Sequence, residues 1–334
     1  MSIPVIEVCP GTLTEGFSSY SPACLDSLFN GKKVSHVLPF ASPQTSEDFT
    51  EQLIEHRKRI SLSGVQEKLS LRLENDQLRL TALDESGQYV LKPIPHDVKK
   101  AAQVPANEHL TMQIARQVYG LDTAENALIF FADGTPAYLT KRFDVQPDGG
   151  KRAKEDGATL AGHSREAQGE NFKYDGSYET LGLLMQRFVA TWQAECEKYF
   201  ALVVFNFLCS NGDAHLKNFS LLETASGDYV LSPAYDLLNT RLHVNDADFA
   251  LAQGLFADEF KSASYRNRLH PSQEDFVEFG RRIGVSERRM DELLAPFLAN
   301  QPLVESLVQR SFLDAPSRRG YLMAYRMRRN YLNG

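Results

Sequence analysis

Asn218 follows Asp213 by five positions in "SNGDAHLKNFSLLE", and Asp236 follows Asn218 by eighteen, in "SPAYDLLNT". Phosphoryl transfer asks a protein for little covalent chemistry. It needs a carboxylate near the attacking hydroxyl and hard oxygen ligands for a Mg²⁺ ion that bridges the phosphates. Asp213 has the chemistry of the base, and Asn218 and Asp236 that of the metal ligands, with ATP as donor. A D-x-x-x-x-N spacing is common by itself, and Asp213 alone could be a turn or cap residue. Its context is more specific. The loop ends one of the most apolar runs of the chain, "YFALVVFNFLCS", precedes a short hairpin, and is answered by a second Asp at a kinase-like distance. Lys217, inside the loop, would set positive charge beside the transferring phosphate or beside Asp213; the alternative is a solvated surface lysine.

A kinase also needs a cation for the α and β phosphates, held on a strand of the first lobe. "QYVLKPI" places Lys92 at the end of an alternating strand among apolar neighbours. Glu108, on the helix that follows Pro105, could orient Lys92 or simply complement that helix's N-terminus. The phosphate cover is the weakest part. There is no G-x-G-x-x-G, and "RISLSGVQEKLSL" holds a single glycine, Gly64, which reads alone as a turn.

These groups have to be positioned by two kinds of element. Residues 1–60 read as a loop-rich extension ending in a helical pattern, "SEDFTEQLIEHRKR", with Ser46 as N-cap. From Lys68 the period becomes two, and "KLSLRL", "QLRLTA" and "QYVLKP" predict an antiparallel meander. A helix over "ANEHLTMQIARQVYG" and strands "NALIFF" and "PAYLTKRF" complete a nucleotide-binding lobe over 61–150. The stretch from Asp144 to Ser177 reads as a long surface loop. Over 151–334 helical patterns dominate, interrupted by a strand pair, "NFSLLE" and "YVLSPA", and this forms the catalytic lobe. The expectation is a two-lobed α+β fold, strand-rich first lobe and helical second lobe, with residues 210–223 lining the cleft.

Composition narrows the function. With 36 Lys and Arg against 43 Asp and Glu in 334 residues, the net charge of -7 argues against a protein that coats nucleic acid. One basic stretch, "SRRGYLMAYRMRRNYL", gathers Arg318, Arg319, Arg326, Arg328 and Arg329 as either a DNA-facing patch or a helix face paired internally. The start lacks a basic n-region with an apolar h-region, and no apolar run reaches the ~18 residues of a membrane helix, which predicts a cytoplasmic protein. Cys9, Cys24, Cys196 and Cys209 form no CxxC pair and read as reduced, packed thiols.

Taken in order, "SLSGVQEKLSL", "YVLKP", "NEHLTMQIARQVYGL", "YLTKRFD", "YDGSYE", "NGDAHLKNFSLL" and "LSPAYDLLNT" resemble the signatures of HipA-family serine/threonine kinases, the toxins of bacterial toxin–antitoxin systems. The likeness runs from Ser61 to Asn239 and implies a compact kinase-like fold. It implies that Ser63, Gly64, Val65, Gln66, Glu67 and Lys68 bind the phosphates of ATP, that Lys92 contacts nucleotide, and that Lys141, Arg142 and Phe143 form the hinge beside adenine. By the same resemblance Asp213 is the base, with Lys217 in its loop, and His215, Leu216, Lys217 and Asn218 complete the nucleotide and metal loop. Tyr235 lies against the nucleotide and Asp236 is the main Mg²⁺ ligand. Only about sixty residues precede Ser61, fewer than in long HipA chains. That short form resembles HipT of tripartite HipBST systems, where the missing subdomain is a separate small protein. The implied partners are a HipB-like DNA-binding antitoxin, which alone would bring the kinase to DNA, and a small HipS-like protein. The implied substrate is an aminoacyl-tRNA synthetase, the tryptophan enzyme by the short architecture, and Ser61 and Ser63 become autophosphorylation sites.

Two other functions fit parts of the pattern. Aminoglycoside- and choline-type phosphotransferases share the loop and the later Asp, but they need an acidic pocket for a cationic acceptor, and residues 240–334 offer no obvious one. A non-catalytic kinase-like module in a DNA-binding repressor complex would use the Arg-rich terminus, yet it would have no need to keep the metal ligands, and all are present.

Overall fold

The computed structural model describes residues 4–43, 67–82, 84–96, 98–146 and 149–334. Helix α1 (Pro22–Phe29) starts at Ser21, whose side chain accepts the Cys24 N–H, with Pro22 in the first position, where its missing donor costs nothing. Strands β1 (Leu69–Glu74), β2 (Gln77–Leu80), β3 (Tyr89–Lys92), β4 (Asn126–Phe130) and β5 (Pro136–Lys141) form one antiparallel sheet in the order β2-β1-β3-β5-β4. The predicted strands are present, but the meander is not. β1 lies between β2 and β3, with Leu71 opposite both Leu80 and Tyr89. Two neighbouring features fix this order. Asn75 and Asp76, both at positive φ (48° and 61°), make a tight hairpin turn. The chain then returns along the far side of β1 through Gly87, where a Cβ would fall 2.0 Å from Ser70 Oγ.

Residues 4–43 are built onto this sheet. Leu128 N–H donates to Pro10 O at 2.8 Å, Phe130 N–H to His36 O at 2.9 Å, and Leu38 N–H to Phe130 O at 2.7 Å, so the outer edge of β4 is covered. The Tyr20 hydroxyl adds a bond to Leu128 O at 3.0 Å. Cys9, Tyr20, Cys24, Leu28 and Phe29 share one core with Leu69, Leu71, Leu91 and Leu139. The helical pattern from Ser46 lies outside the described residues.

Helix α2 (Val104–Gln117) is buried without interruption from Val104 to Ala115, because the sheet covers one side and the second lobe the other. The stretch from Asp144 to Ser177 is not a plain loop. It holds β6 (Lys154–Asp156), two four-residue helices (Gly157–Leu160 and Arg165–Gln168) and a 3₁₀ turn (Phe172–Tyr174). Caps decide these short elements: Asp156 accepts the Thr159 N–H at 3.0 Å and Ser164 the Ala167 N–H at 3.3 Å. Four residues are too few for a hydrophobic period to reveal.

Helix α3 (Tyr178–Gln186), capped by Ser177, leads to α4 (Trp192–Leu208), the apolar centre of the second lobe. Strands β7 (Ser220–Glu223) and β8 (Tyr229–Leu231) make the expected hairpin, and β6 pairs with β7 as a third strand. Helices α5 (Gln273–Ile283), α6 (Glu287–Leu298) and α8 (Ala315–Asn333) pack around α4, and α7 (Pro302–Arg310) packs against α8 and α2. These are the helical patterns expected to dominate 151–334, and a further short helix spans Ala263–Arg268. All four cysteines are buried, and among the described residues no helix is long and apolar enough to cross a membrane.

Most arginines of the basic terminus are paired within the chain. Arg328 is fully buried on α8 and donates to Asp248 at 2.6 Å, Arg326 pairs with Glu305 at 2.7 Å, and Arg318 donates to Ser311 O at 2.8 Å. Arg329 is bonded to Asn300. Of the two readings of this stretch, the paired helix face accounts for these four, and Arg319 lines a shallow groove with Met323 and Met327.

Candidate active site

The polar loop after α4 is held from several sides. Ser210 turns the chain through positive φ (58°), and its carbonyl accepts from Thr240 N–H at 3.1 Å and Thr240 Oγ1 at 3.0 Å. Gly212 N–H donates to the same hydroxyl at 2.9 Å, and a Cβ at Gly212 would meet Asp246 at 2.4 Å and the Ala247 carbonyl at 2.7 Å. Tyr178 OH binds Ala214 O at 2.8 Å, and Tyr235 OH binds Lys217 O at 2.7 Å. Asn211 bridges α4 and the next segment, donating to Asn206 Oδ1 at 2.7 Å and Asp236 O at 3.3 Å. From below, Arg328 Nε reaches Ser210 Oγ at 3.3 Å.

Asp236 lies in the left-handed region (φ 57°), which aims its carboxylate into the cleft between the lobes. Three groups converge on it: the Lys92 ammonium in direct contact, Asn218 Nδ2 at 3.2 Å and Lys68 Nζ at 3.9 Å. β3 brings Lys92 in from the first lobe, 5 % exposed, and α2 supplies Glu108, whose Oε1 takes the same ammonium at 2.6 Å. Burial alone would lower the pKa of Lys92, but Asp236 and Glu108 reverse that and hold it above its ordinary value. Burial would likewise raise Asp236, but Lys92 and Lys68 outweigh it and keep the carboxyl well below the usual range. Glu108 moves the other way. Burial pushes it up against the pull of Lys92, helped by the charge of Asp236.

Asp213 sits at the far side of the same loop, where Tyr174 OH donates to its Oδ1 at 2.8 Å. Tyr174 also meets the His215 ring edge-on, centroids 5.5 Å apart. Burial brings His215 down to about 4 against the opposing charge of Asp213, so it is neutral at physiological pH. Asn218 Oδ1 accepts the His215 N–H at 3.0 Å, which fixes the amide toward Asp236.

The expected site residues fall into groups. Lys68, Lys92, Asn218 and Asp236 converge, while Asp213, His215 and Lys217 share the adjoining loop with the buried Leu216. Phe143 and Tyr235 pack at 5.7 Å, with Lys154 Nζ over both rings. Lys217 Nζ rests on Asp156 at 3.0 Å, the Lys141 ammonium on Asn30 at 2.8 Å beside α1, and Arg142 on Asp144. Glu67 borders the first strand. Ser61, Ser63, Gly64, Val65 and Gln66 lie outside the described residues. Sequence reasoning missed Asn211, Lys154, Asp156 and Tyr174. The last three belong to the segment read as a loop, and "YDGSYE" was the one signal pointing there.

The donor set suits a small hard cation. Asp236 offers carboxylate oxygens, and the Asn218 amide beside it gives its nitrogen to Asp236 and its oxygen to the His215 N–H, so Asn218 would turn its amide to hold a metal. Among the described residues no three His, Cys, Asp or Glu side chains are grouped to hold a metal, so such an ion would take its other ligands from phosphate and water. Lys68 and Lys92 around the same point are the charge complement of a polyphosphate.

The chain is similar to several known proteins. The family model described as "HipA-like C-terminal domain" matches residues 60–302. A protein of Haemophilus influenzae named "Putative kinase" is 27 % identical over 332 residues, 96 % of this chain and 94 % of that one. "Putative kinase Y4dM" of Sinorhizobium fredii is 33 % identical over 64 % of this chain and 54 % of its own. Among solved structures, HipA of Shewanella oneidensis, determined with HipB and operator DNA, aligns with TM-score 0.61 at 20 % identity, covering 87 % of this chain and 72 % of that one. The proinflammatory kinase CtkA of Helicobacter pylori aligns with TM-score 0.51 at 15 % identity over 78 % and 90 %. The two-lobed kinase-like fold expected from the sequence is therefore the one observed.

Proposed function

The chain belongs to the HipA-like C-terminal domain family, and from that premise we propose that it is an ATP-dependent serine/threonine protein kinase, the toxin of a toxin–antitoxin system acting in the cytoplasm. One observation carries this reading. The Asp236 carboxylate gathers Lys92, Lys68 and Asn218, while Asp213 stands earlier in the loop that carries Asn218. In this reading Lys92, steadied by Glu108, binds the α and β phosphates, and Lys68 binds phosphate from the adjoining strand. Asn218 and Asp236 hold Mg²⁺, which supplies charge neutralisation on the phosphates. Phe143 and Tyr235 flank the base, and Asp213 takes the proton of the acceptor hydroxyl.

The family resemblance supplies the acceptor and partners: a serine of an aminoacyl-tRNA synthetase, with the tryptophan enzyme as first candidate, a HipB-like antitoxin and a small HipS-like protein. Labelled ATP with Mg²⁺ and a cell extract is expected to mark a band of synthetase size, and Asp213→Asn to mark none while remaining folded. Equal labelling by wild type and folded variant would remove the assignment.

Ser61 and Ser63 are proposed as sites of autophosphorylation. Phosphate there adds about -1.5 to -2 charge beside the group that must receive ATP's own phosphates. Active protein is expected to carry phosphate on one or both serines, the Asp213 variant none, and the phosphorylated form to bind ATP more weakly. Site-resolved mass spectrometry followed by nucleotide titration checks each point.

DNA contact is assigned to the antitoxin complex. The isolated chain is acidic and most of its C-terminal arginines are paired internally, so it is expected to bind duplex DNA weakly. Tight binding by the chain alone, weakening steeply in a salt titration, would instead indicate a primary DNA-binding role.

A further inference from the structure

Asp213 already has a hydroxyl on it. Tyr174 OH donates to Oδ1 at 2.8 Å, the contact that an acceptor hydroxyl must make with a general base before giving up its proton. The position of Tyr174 is specified by its neighbours. The Ala252 N–H donates to its carbonyl at 2.8 Å, Lys173 Nζ lies over its ring at 4.9 Å, and the His215 ring meets it at an interplanar angle of 72°. The preceding Phe172 lies beneath Lys217, with the ammonium 5.9 Å from the ring centre. The turn Phe172–Tyr174 thus covers the acceptor side of the loop, and the cluster on Asp236 faces the nucleotide side.

We infer that Tyr174 is an internal stand-in for the acceptor: its hydroxyl occupies the acceptor subsite on Asp213, excludes water from the base, and is displaced when the correct protein substrate docks. This rests on the kinase reading above and adds a specificity-determining residue to it. The backbone of Tyr174 is anchored through Ala252, so displacement needs rotation of the side chain only. A docked protein can meet that cost from its wider contact surface, whereas a water molecule cannot. The subsite therefore favours acceptors that bring binding energy from outside the reacting hydroxyl.

The test uses ATP with water as the acceptor. In hydrolysis the water oxygen bonds to the γ phosphorus, the bond from that phosphorus to the β,γ-bridging oxygen breaks, ADP leaves, and the water proton passes to Asp213. Tyr174→Phe removes one oxygen and keeps the ring. Its hydrolysis of ATP is expected to rise about three- to tenfold, the range that one neutral hydrogen bond competing with water permits. Labelling of the protein band in extract should persist, with ATP affinity unchanged. Hydrolysis that is unchanged or lower, while wild type and variant both label protein, overturns the inference and leaves the kinase reading standing. Phosphate recovered on Tyr174 of wild type also overturns it, because the hydroxyl would then be an acceptor and not a stopper. If neither protein hydrolyses ATP nor labels any band, the kinase reading fails and the inference falls with it.

Discussion

Asp236→Asn is expected to lower phosphoryl transfer by on the order of a thousandfold or more, with the fold retained. The substitution keeps volume and shape. It also keeps a residue that tolerates the left-handed backbone Asp236 adopts (φ 57°), since Asn enters that region readily. What disappears is the charge on which Lys92 and Lys68 converge. Asp236's carboxyl has a depressed pKa in the folded protein, so its stabilising contribution is present above the unfolded carboxylate range and is lost as pH falls through the folded value. The variant is therefore expected to melt below wild type at pH 7 and to converge with it in acid. Label transfer at saturating ATP, alongside melts at several pH values, measures both effects. A folded variant with wild-type transfer would remove Asp236 from the chemistry.

Arg328→Met is expected to cost about 3 kcal/mol of stability, the lower end of what breaking a buried pair from one side removes. Arg328 is fully buried, donates to Asp248 at 2.6 Å and Ser210 Oγ at 3.3 Å, and stacks its guanidinium 4.7 Å from the Phe207 ring. Methionine can fill much of the volume but leaves Asp248 only Arg241 as an ion-pair partner among the described residues, at 2.8 Å. Because Ser210 opens the loop that carries Asp213, transfer activity should fall with stability. Arg326→Ala, by contrast, removes an exposed pair and should change stability by no more than about 0.5 kcal/mol. Denaturant midpoints of the two variants decide the matter, and equal midpoints would mean that Arg328 is not structural.

What the sequence disclosed depended on how far each signal reached along the chain. Alternation in "KLSLRL" and "QYVLKP" and the helical period of "ANEHLTMQIARQVYG" are local, and those elements stand where expected. Lys92, Asn218 and Asp236 were singled out by residue type and context, and the fold brings them into contact. Strand order was not legible, since placing β1 between β2 and β3 depends on a close pass at Gly87 that no periodicity records. Tyr174 was missed for a related reason. A three-residue turn has no period, and its partner Asp213 lies 39 positions away. The burial of Arg328 was equally silent, because a helix rich in arginine looks the same whether its charges meet solvent or Asp248.

The cover over the edge of β4 also bears on how the chain acquires its shape during synthesis. Tyr20 and the carbonyl of Leu128 that it binds are 108 positions apart, so the pairing cannot form until well over a third of the chain has been made. At about 5–20 residues per second, the Tyr20 side chain waits on the order of ten seconds for that carbonyl, long enough for a holdase to engage it. The strand itself is in the opposite position. When β4 emerges, the backbone groups of Pro10, His36 and Leu38 that will close its open side have already been synthesised. A strand edge is most dangerous while unpaired beside other nascent chains, and this order of synthesis keeps that interval short.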